Sequence, residues 1–185
     1  SVSGHFFIWK MNADSTGVVQ LTFPSTVVYD DDDPQVSPDG AKIAFSRIIG
    51  SNSDVWVMNA DGTGQVKLTT SPQNYFDPRW SADGTKIIYT GYPGSNIDVW
   101  SMNASDGTGK TRWTNNANVD GAPDWSRDGS QIVFNSDRVV GNTDIWVMSG
   151  VTPLSSATRM TTIAGTDRYP VWSSDRTKVF WSHVS

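Results

Sequence analysis

The chain has 185 residues, of which 37% are hydrophobic, so it is long enough for one domain with a sizeable core but not for two comfortable ones. Its net charge of −5 and its scattered Lys and Arg argue against a nucleic-acid partner, and no apolar run is long enough for membrane insertion. The absence of Cys excludes disulfides, thiolate metal sites and Cys nucleophiles.

All 19 acidic residues are Asp. Asp favours turns over helices because its short side chain hydrogen-bonds to nearby backbone groups. No window of the sequence predicts a helix. The composition therefore indicates short strands joined by tight turns.

Two segments recur along the chain. The first appears at the N-terminus as two predicted strands, residues 6–11 and 18–22, and its later copies begin at Asp54, Asp98 and Asp144. Its Trp recurs at intervals of 44 to 47 residues, at positions 9, 56, 100 and 146. The second segment is approximately Pro-x-Trp-Ser-x-Asp-Gly followed by an apolar run, and it occupies residues 33–46, 77–90, 122–135 and 169–182. A period in the forties indicates an array of one supersecondary unit.

Each unit is predicted to form four short strands. Strand one is the Pro-x-Trp-Ser segment, and Asp-Gly makes the hairpin turn because Gly accepts a positive φ. Strand two is rich in β-branched and aromatic residues, strand three contains Asp-Val-Trp-x-Met, and Asn-Ala-Asp-Gly-Thr-Gly turns the chain into strand four. Antiparallel units of this kind are the blades of a β-propeller, in which strand one is innermost.

The sequence therefore predicts an all-β fold, a four-bladed β-propeller of four-stranded antiparallel blades that forms one domain over residues 1–185. Blades 1, 2 and 3 cover about residues 30–70, 74–115 and 119–162. Blade 4 covers about residues 166–185 plus 1–23 and closes the ring. It does so by pairing N-terminal strands three and four with C-terminal strands one and two.

These segments resemble the TolB-type propeller repeat. Its pattern is approximately Asp-x-x-Pro-x-Trp-Ser-Pro-Asp-Gly-x-x-Ile-x-Phe-x-Ser, then Gly-Asn-x-Asp-Ile-Trp-x-Met-Asn-Ala-Asp-Gly. The resemblance recurs four times and covers essentially the whole chain. It implies a bacterial binding scaffold with a periplasmic or extracellular location. Similar repeats also occur beside peptidase domains and within carbohydrate-active enzymes.

Proteins similar to this one more often have six or seven blades. Four repeats leave three arrangements, namely a compact four-bladed ring, half of an eight-bladed homodimer, or an excised fragment. The complementary ends of the chain favour the monomeric ring. In the blade built from both ends, Phe7 replaces the strand-three Asp and Arg176 replaces the turn Gly, so we expect that blade to deviate in geometry.

The repeat accounts for most residues that would otherwise suggest chemistry. All nine Trp occupy repeated strand positions, which predicts packing between blades. Ten of the Asp fall in hairpin turns or at the start of strand three, and no pair is marked as the acid and base of a glycosidase. His5 and His183 have no fixed partner in the sequence and are interpreted as loop residues.

The loops before strand one differ between the repeats, and they should crowd around one mouth of a central channel because strand one is innermost. The residue three before each Pro is Asp31, Tyr75, Asp120 or Asp167. We predict a ligand-binding site at this mouth, formed by Asp31, Asn74, Tyr75, Phe76, Asp120, Asp167, Arg168 and Tyr169.

A cation is a further prediction for this mouth. Asp31, Asp120 and Asp167 could hold Ca²⁺ or another hard cation in the central channel, since Ca²⁺ prefers oxygen ligands. The alternative is that each Asp caps its own loop. Apart from this ion, no cofactor is expected.

The predicted function is noncatalytic binding of a protein, a peptide or a glycan at the channel mouth, because a rigid scaffold with variable loops is how such folds bind. The alternatives are a carbohydrate-active enzyme or lyase on the propeller scaffold, and an assembly unit without a small ligand.

Overall fold

The computed structural model describes residues 4–23, 27–70, 73–92, 94 and 96–185. These residues form sixteen β-strands. None of them belongs to a helix long and apolar enough to cross a membrane. The predicted all-β class is confirmed.

Three antiparallel sheets of successive strands follow one another along the chain. The first contains β3 (Asp30–Val36), β4 (Lys42–Ile49), β5 (Asn52–Asn59) and β6 (Val66–Lys67). The second contains β7 (Tyr75–Trp80), β8 (Lys86–Gly91), β9 (Asp98–Asn103) and β10 (Thr111–Arg112). The third contains β11 (Asp120–Trp125), β12 (Gln131–Val139), β13 (Asn142–Ser149) and β14 (Thr158–Arg159).

Two hairpins flank these sheets. The N-terminal hairpin pairs β1 (Trp9–Lys10) with β2 (Val19–Gln20), and the C-terminal hairpin pairs β15 (Thr166–Trp172) with β16 (Val179–Val184). The C-terminal hairpin also joins β13 through one parallel residue pair. In the described part of the chain the two hairpins belong to different sheets, so the predicted closing blade and the count of four blades are not confirmed.

Two Trp residues on the terminal hairpins are more exposed than the repeat predicts. Trp9 is 56% exposed and Trp181 is 41% exposed, because no described strand covers them. The predicted packing between blades is therefore found for the other Trp residues but not for these two. The other seven are buried or half-buried.

Successive sheets pack face to face, which produces the core. The N-terminal hairpin meets the first sheet through Ile8, Leu21, Ile43, Phe45 and Met58. The first sheet meets the second through a cluster that includes Val55, Val57, Tyr75, Tyr89 and Met102. The second meets the third through Ile88, Val99, Trp113, Trp125, Ile132, Phe134 and Met148. Burial of this alternating apolar set supplies most of the folding free energy.

The first strands of the four units, β3, β7, β11 and β15, are neighbours in that order and form the inner wall. Each carries a bulge at the residue before its Pro, where the pairing with the next strand shifts. The bulge residues have φ between 47° and 56°, and they are Asp33, Asp77, Ala122 and Tyr169. Positive φ is uncommon for residues with a Cβ, so the ladder on both sides must hold it in place.

The first hairpin turn keeps its geometry even where Gly is missing. Gly40 donates its N–H to the Ser37 carbonyl at 2.8 Å, and Arg176 donates its N–H to the Ser173 carbonyl at 2.9 Å with a φ of 63°. Asp175 supports this turn by accepting a hydrogen bond from the Thr177 N–H at 3.0 Å. The deviation expected at Arg176 is therefore not found, because the surrounding hydrogen bonds compensate for the backbone strain.

Candidate functional site

The three carboxylates predicted to hold a cation are buried on the inner strands. Each is paired with a basic side chain from the second strand of its own unit. The pairs are Asp31 with Arg47 at 2.6 Å, Asp120 with Arg138 at 2.9 Å, and Asp167 with His183 at 2.7 Å. All three carboxylate side chains are 0% exposed. Buried charges require such partners, because an unpaired carboxylate would lose its hydration without compensation.

His183 belongs to this set, and its interpretation as a loop residue is wrong. It lies on β16, and Asp167 Oδ1 also accepts a hydrogen bond from Trp181 Nε1 at 3.1 Å. Burial alone would raise the pKa of Asp167, but hydrogen bonds from Thr161, His183 and Trp181 outweigh it and hold that pKa below its usual value.

The described residues contain no group of three or more Asp or His side chains arranged to hold a metal ion. Asp31, Asp120 and Asp167 instead face separate basic partners within separate units. A cation site formed by these three residues stays a prediction.

Two further residues of the predicted site, Asn74 and Tyr75, make contacts inside the protein. Asn74 Oδ1 accepts a hydrogen bond from the Ser53 N–H at 2.8 Å, which links the first sheet to the second. Tyr75 is 6% exposed, and its ring meets the Tyr89 ring edge-on at 5.8 Å. The contact of Asn74 thus connects two neighbouring sheets, whereas the ring contact of Tyr75 lies within the second sheet.

The remaining predicted residues, Phe76, Arg168 and Tyr169, meet at one cavity of about 310 Å³. We call it the upper cavity, and its wall also contains Asp77, Val119, Ala122 and Asp137. It lies where β7, β11 and β15 begin, and three of its residues, Asp77, Ala122 and Tyr169, occupy the inner-strand bulges. The bulges thus hold the backbone of the wall in an uncommon conformation, as is frequent at functional sites.

A short hydrogen-bond chain fixes the upper cavity between the second and third sheets. Thr90 donates its hydroxyl to Asp77 Oδ2 at 2.8 Å and accepts the Ala122 N–H at 2.9 Å. Burial raises the pKa of Asp77, despite the bond from Thr90 and the nearby charge of Arg79. Arg168 is exposed and makes no ion pair within the described residues, so the cavity offers one free cation.

Arg79 stands farther along the inner wall and acts on three carboxylates. Burial raises the pKa of Asp33 to about 6, helped by the neighbouring charges of Asp77 and Asp32 and opposed by Arg79. Burial likewise raises the pKa of Asp124 to about 6, opposed by a hydrogen bond from the Trp172 N–H and by Arg79. Clustered groups with raised pKa values mark functional surfaces more often than chance would give.

Sequence reasoning missed Asp33, Asp77, Arg79 and Asp124, because their side chains converge only when the inner strands stand side by side. It also missed a repeated ion pair between strands three and four, in which a buried carboxylate meets a partly exposed base and which joins Asp54 to Lys67, Asp98 to Arg112 and Asp144 to Arg159. A signal for that pair exists, since Lys or Arg stands two residues before Thr69, Thr114 and Thr161 in the strand-four copies.

Solved structures share this architecture. A putative TolB from Agrobacterium tumefaciens aligns with a TM-score of 0.82 and 27% identity over 97% of this chain and 63% of that one. TolB from Acinetobacter baumannii aligns with a TM-score of 0.78 and 21% identity over 93% of this chain and 41% of that one. An oligogalacturonate lyase from Vibrio parahaemolyticus shares the fold, with a TM-score of 0.67 and 13% identity over 97% of this chain and 53% of that one.

The chain therefore spans less than two thirds of the length of each of these proteins. No curated protein sequence matches it. The family model of the TolB β-propeller domain matches residues 34–185, so the recurrent blade segments, the sheet topology and the structural neighbours agree. The chain belongs to the TolB β-propeller domain family.

Proposed function

We propose that the protein is a noncatalytic binding propeller that takes a segment of a protein or peptide partner at the upper cavity. The observation that supports this most directly is the meeting of Phe76, Arg168 and Tyr169 at one cavity. We predicted these residues in loops, but they lie on β7 and β15, in the first part of strand one, where the repeats differ in sequence. Variable loops on a rigid scaffold are the usual location of binding residues.

Exposed apolar side chains on the same face favour a protein over a glycan. They stand where strand two of each unit ends, and they are Ile49, Tyr92, Val140 and Val184, with exposed fractions of 40%, 37%, 99% and 67%. Strand two ends where strand one begins, because the two are antiparallel. Aliphatic groups are stabilised by leaving water against another apolar surface. With Arg168 beside them, the preferred segment combines apolar residues with an acidic group.

Peptide selection tests this assignment. Peptides selected from a random library on the wild-type protein should bind Arg168→Glu and Tyr169→Asn at least about tenfold more weakly, because a hot-spot residue contributes about 2 kcal/mol or more. Asn is chosen at position 169 because it tolerates positive φ. Arg127→Glu, at the opposite end of the inner wall, is the matched control. Equal affinity for wild type and both variants would contradict the site.

We also propose, independently of the peptide site, that Asp31, Asp120 and Asp167 bind Ca²⁺. The ion would have to displace Arg47, Arg138 and His183 from these carboxylates, so we expect it to bind weakly. A melting temperature that rises with added CaCl₂ in wild type but not in Asp167→Asn would support the site. An unchanged melting temperature in wild type would exclude it.

We also propose that the two terminal hairpins form the closing blade of a four-bladed monomeric ring. In the three complete sheets, strand two and strand three place Phe45 opposite Trp56, Tyr89 opposite Trp100 and Phe134 opposite Trp146. The same register would place Trp181 opposite Trp9. Since the chain has no Cys, disulfide formation in the double variant Trp9→Cys/Trp181→Cys tests whether these two positions face each other. A crosslinked monomer supports the ring, a crosslinked dimer supports the eight-bladed homodimer, and no crosslink contradicts both.

One observation favours an enzyme as the second candidate. Burial raises the pKa of both Asp33 and Asp77, and the charge of Asp77 contributes to the shift of Asp33, so one of the two carboxyls could stay protonated as the acid that a glycosidase needs. Release of new reducing ends or unsaturated products from an oligosaccharide panel, lost in Asp77→Asn, would support catalysis. Family membership favours a periplasmic or extracellular location, which fractionation of the source cells would test.

A further inference from the structure

A second cavity opens at the opposite end of the inner wall, where β7, β11 and β15 end. Its volume is about 340 Å³, and we call it the lower cavity. Three Trp from successive units line it, namely Trp80, Trp125 and Trp172, together with Asp124 and Arg127. The lower cavity shares no lining residue with the upper cavity.

The indole N–H groups of these Trp are not equally satisfied. Trp80 donates its Nε1–H to the Gln35 carbonyl on the neighbouring inner strand at 2.9 Å. Nε1 of Trp125 and Nε1 of Trp172 are buried and have no hydrogen-bond partner among the described residues. Trp125 as a whole is 8% exposed. An indole N–H can only donate, and a buried donor without an acceptor costs about 1–3 kcal/mol. The Nε1 atoms of Trp56, Trp100 and Trp146 are equally buried and unpartnered among the described residues, so these two donors do not by themselves mark the lower cavity as a site.

The charged groups of the lower cavity complement these donors. Asp124 already accepts the Trp172 backbone N–H at 2.8 Å through Oδ2, and its carboxylate is only partly exposed. Arg127 is exposed and makes no ion pair within the described part of the chain. The cavity thus presents the carboxylate of Asp124 and the guanidinium of Arg127 beside three indole rings.

We propose that the lower cavity binds a saccharide ring. Sugar hydroxyls both donate and accept, so one ring can donate to Asp124 while it accepts from Arg127. The C–H face of a sugar packs on a flat indole through dispersion contacts. Among the described lining residues the aliphatic ones are limited to Pro38 and Ala82, so the apolar surface of the lower cavity is mostly indole.

A volume of about 340 Å³ lies at the small end of the range of ligand sites and suits one or two sugar rings. This ligand differs from the one assigned to the upper cavity, and the two sites can be tested separately. The protein would then hold a protein partner at one end of the inner wall and a glycan at the other.

The experiment is a titration of the full chain with a panel of neutral and uronic oligosaccharides, followed by Trp fluorescence and by calorimetry. Wild type should bind at least one member. Asp124→Asn and Arg127→Ala should each weaken that binding at least about tenfold, because each removes a charged hydrogen bond. Lys110→Ala, at an exposed residue that lines neither cavity, is the control and should bind as wild type does.

Folding of the variants is checked by thermal unfolding. Asn at position 124 can still accept the Trp172 N–H through its amide oxygen, and Arg127 is exposed, so both variants should fold. Failure of every oligosaccharide to bind at millimolar concentration would overturn the proposal. Binding that survives in both folded variants would overturn it as well.

Discussion

Arg47 donates two hydrogen bonds to Asp31, from Nε to Oδ1 at 2.6 Å and from Nη2 to Oδ2 at 2.8 Å, with both side chains buried. The guanidinium carbon also lies 4.0 Å from the centre of the Tyr29 ring and 4.8 Å from that of Trp56. A buried pair of this kind is favourable only while both partners remain. Asp31 therefore contributes to the interior of its blade.

Replacing Arg47 by Met should destabilise the protein by about 3–5 kcal/mol, because it leaves the Asp31 carboxylate buried without a partner. Urea unfolding measures the change. The double variant Asp31→Asn/Arg47→Met should recover a large part of the loss, and Arg168→Ala should stay within about 0.5 kcal/mol of wild type. Additive losses in the double variant would show that the two side chains are not coupled.

Two glycines with nearly equal backbone conformation form a matched pair. Gly107 has a φ of 72° and Gly129 a φ of 71°, but a Cβ on Gly107 would lie 2.2 Å from the Leu68 carbonyl oxygen, whereas a Cβ on Gly129 meets nothing within 4 Å. Gly129→Ala should cost about 1–2 kcal/mol for the left-handed conformation alone. Gly107→Ala should cost at least about 2 kcal/mol more, because backbone must shift. Equal melting temperatures for the two variants would contradict the close approach.

Thr90 should be sensitive to loss of its hydroxyl. Thr90→Val removes the bond to Asp77 and leaves the Ala122 N–H without its acceptor, so we expect a loss of about 1–3 kcal/mol. Thr90→Ser keeps the hydroxyl and should retain most of the stability. Chemical denaturation compares the two variants, and a Ser variant as unstable as the Val variant would point to packing of the methyl group instead.

The raised pKa of Asp124 gives a pH dependence with a definite sign. With a folded pKa of about 6 and an ordinary value of 3.8, the folded protein binds more protons than the unfolded chain between these values. Stability from this group is therefore present at low pH and is lost as the pH rises through about 6.

Asp124→Asn removes this titration, so the variant should gain stability relative to wild type between pH 5 and pH 7.5, by about 1–2 kcal/mol. Melting curves of both proteins at the two pH values measure it. The turn carboxylates do not interfere, since hydrogen bonds within the turn lower the pKa of Asp175 to about 2. A constant difference between variant and wild type at both pH values would show that Asp124 stays charged throughout.

The fold was largely predictable because the repeat reports one local pattern several times. Each copy of Asp-Gly marks the same turn, and each apolar run marks the same buried strand. A deviation in one copy therefore does not change the assignment that the other copies support. The turn at Arg176 shows the limit of this reasoning, since three hydrogen bonds around Ser173 and Asp175 keep the Gly conformation without Gly. Local composition does not reveal such compensation.

The site was predictable only in part. The segments predicted as loops are the first parts of the inner strands, and they meet at the upper cavity through Phe76, Arg168 and Tyr169. Asp120 and Asp167 were selected by the same rule but are hydrogen-bonded to Arg138 and His183, which lie 18 and 16 residues farther along the chain. Whether a carboxylate faces solvent or a partner depends on the strand register, and one residue of register reverses the direction of a side chain.

The bulges before the inner-strand Pro residues also affect the thermodynamics of recognition. Asp77, Ala122 and Tyr169 are held in their unusual backbone conformation by paired strand on both sides, so this part of the upper cavity exists before any ligand arrives. A partner that binds there would not need to order this wall, and the entropic cost of association would fall mainly on the partner's own chain. The propeller would thus act as a preformed template on which a flexible segment becomes ordered.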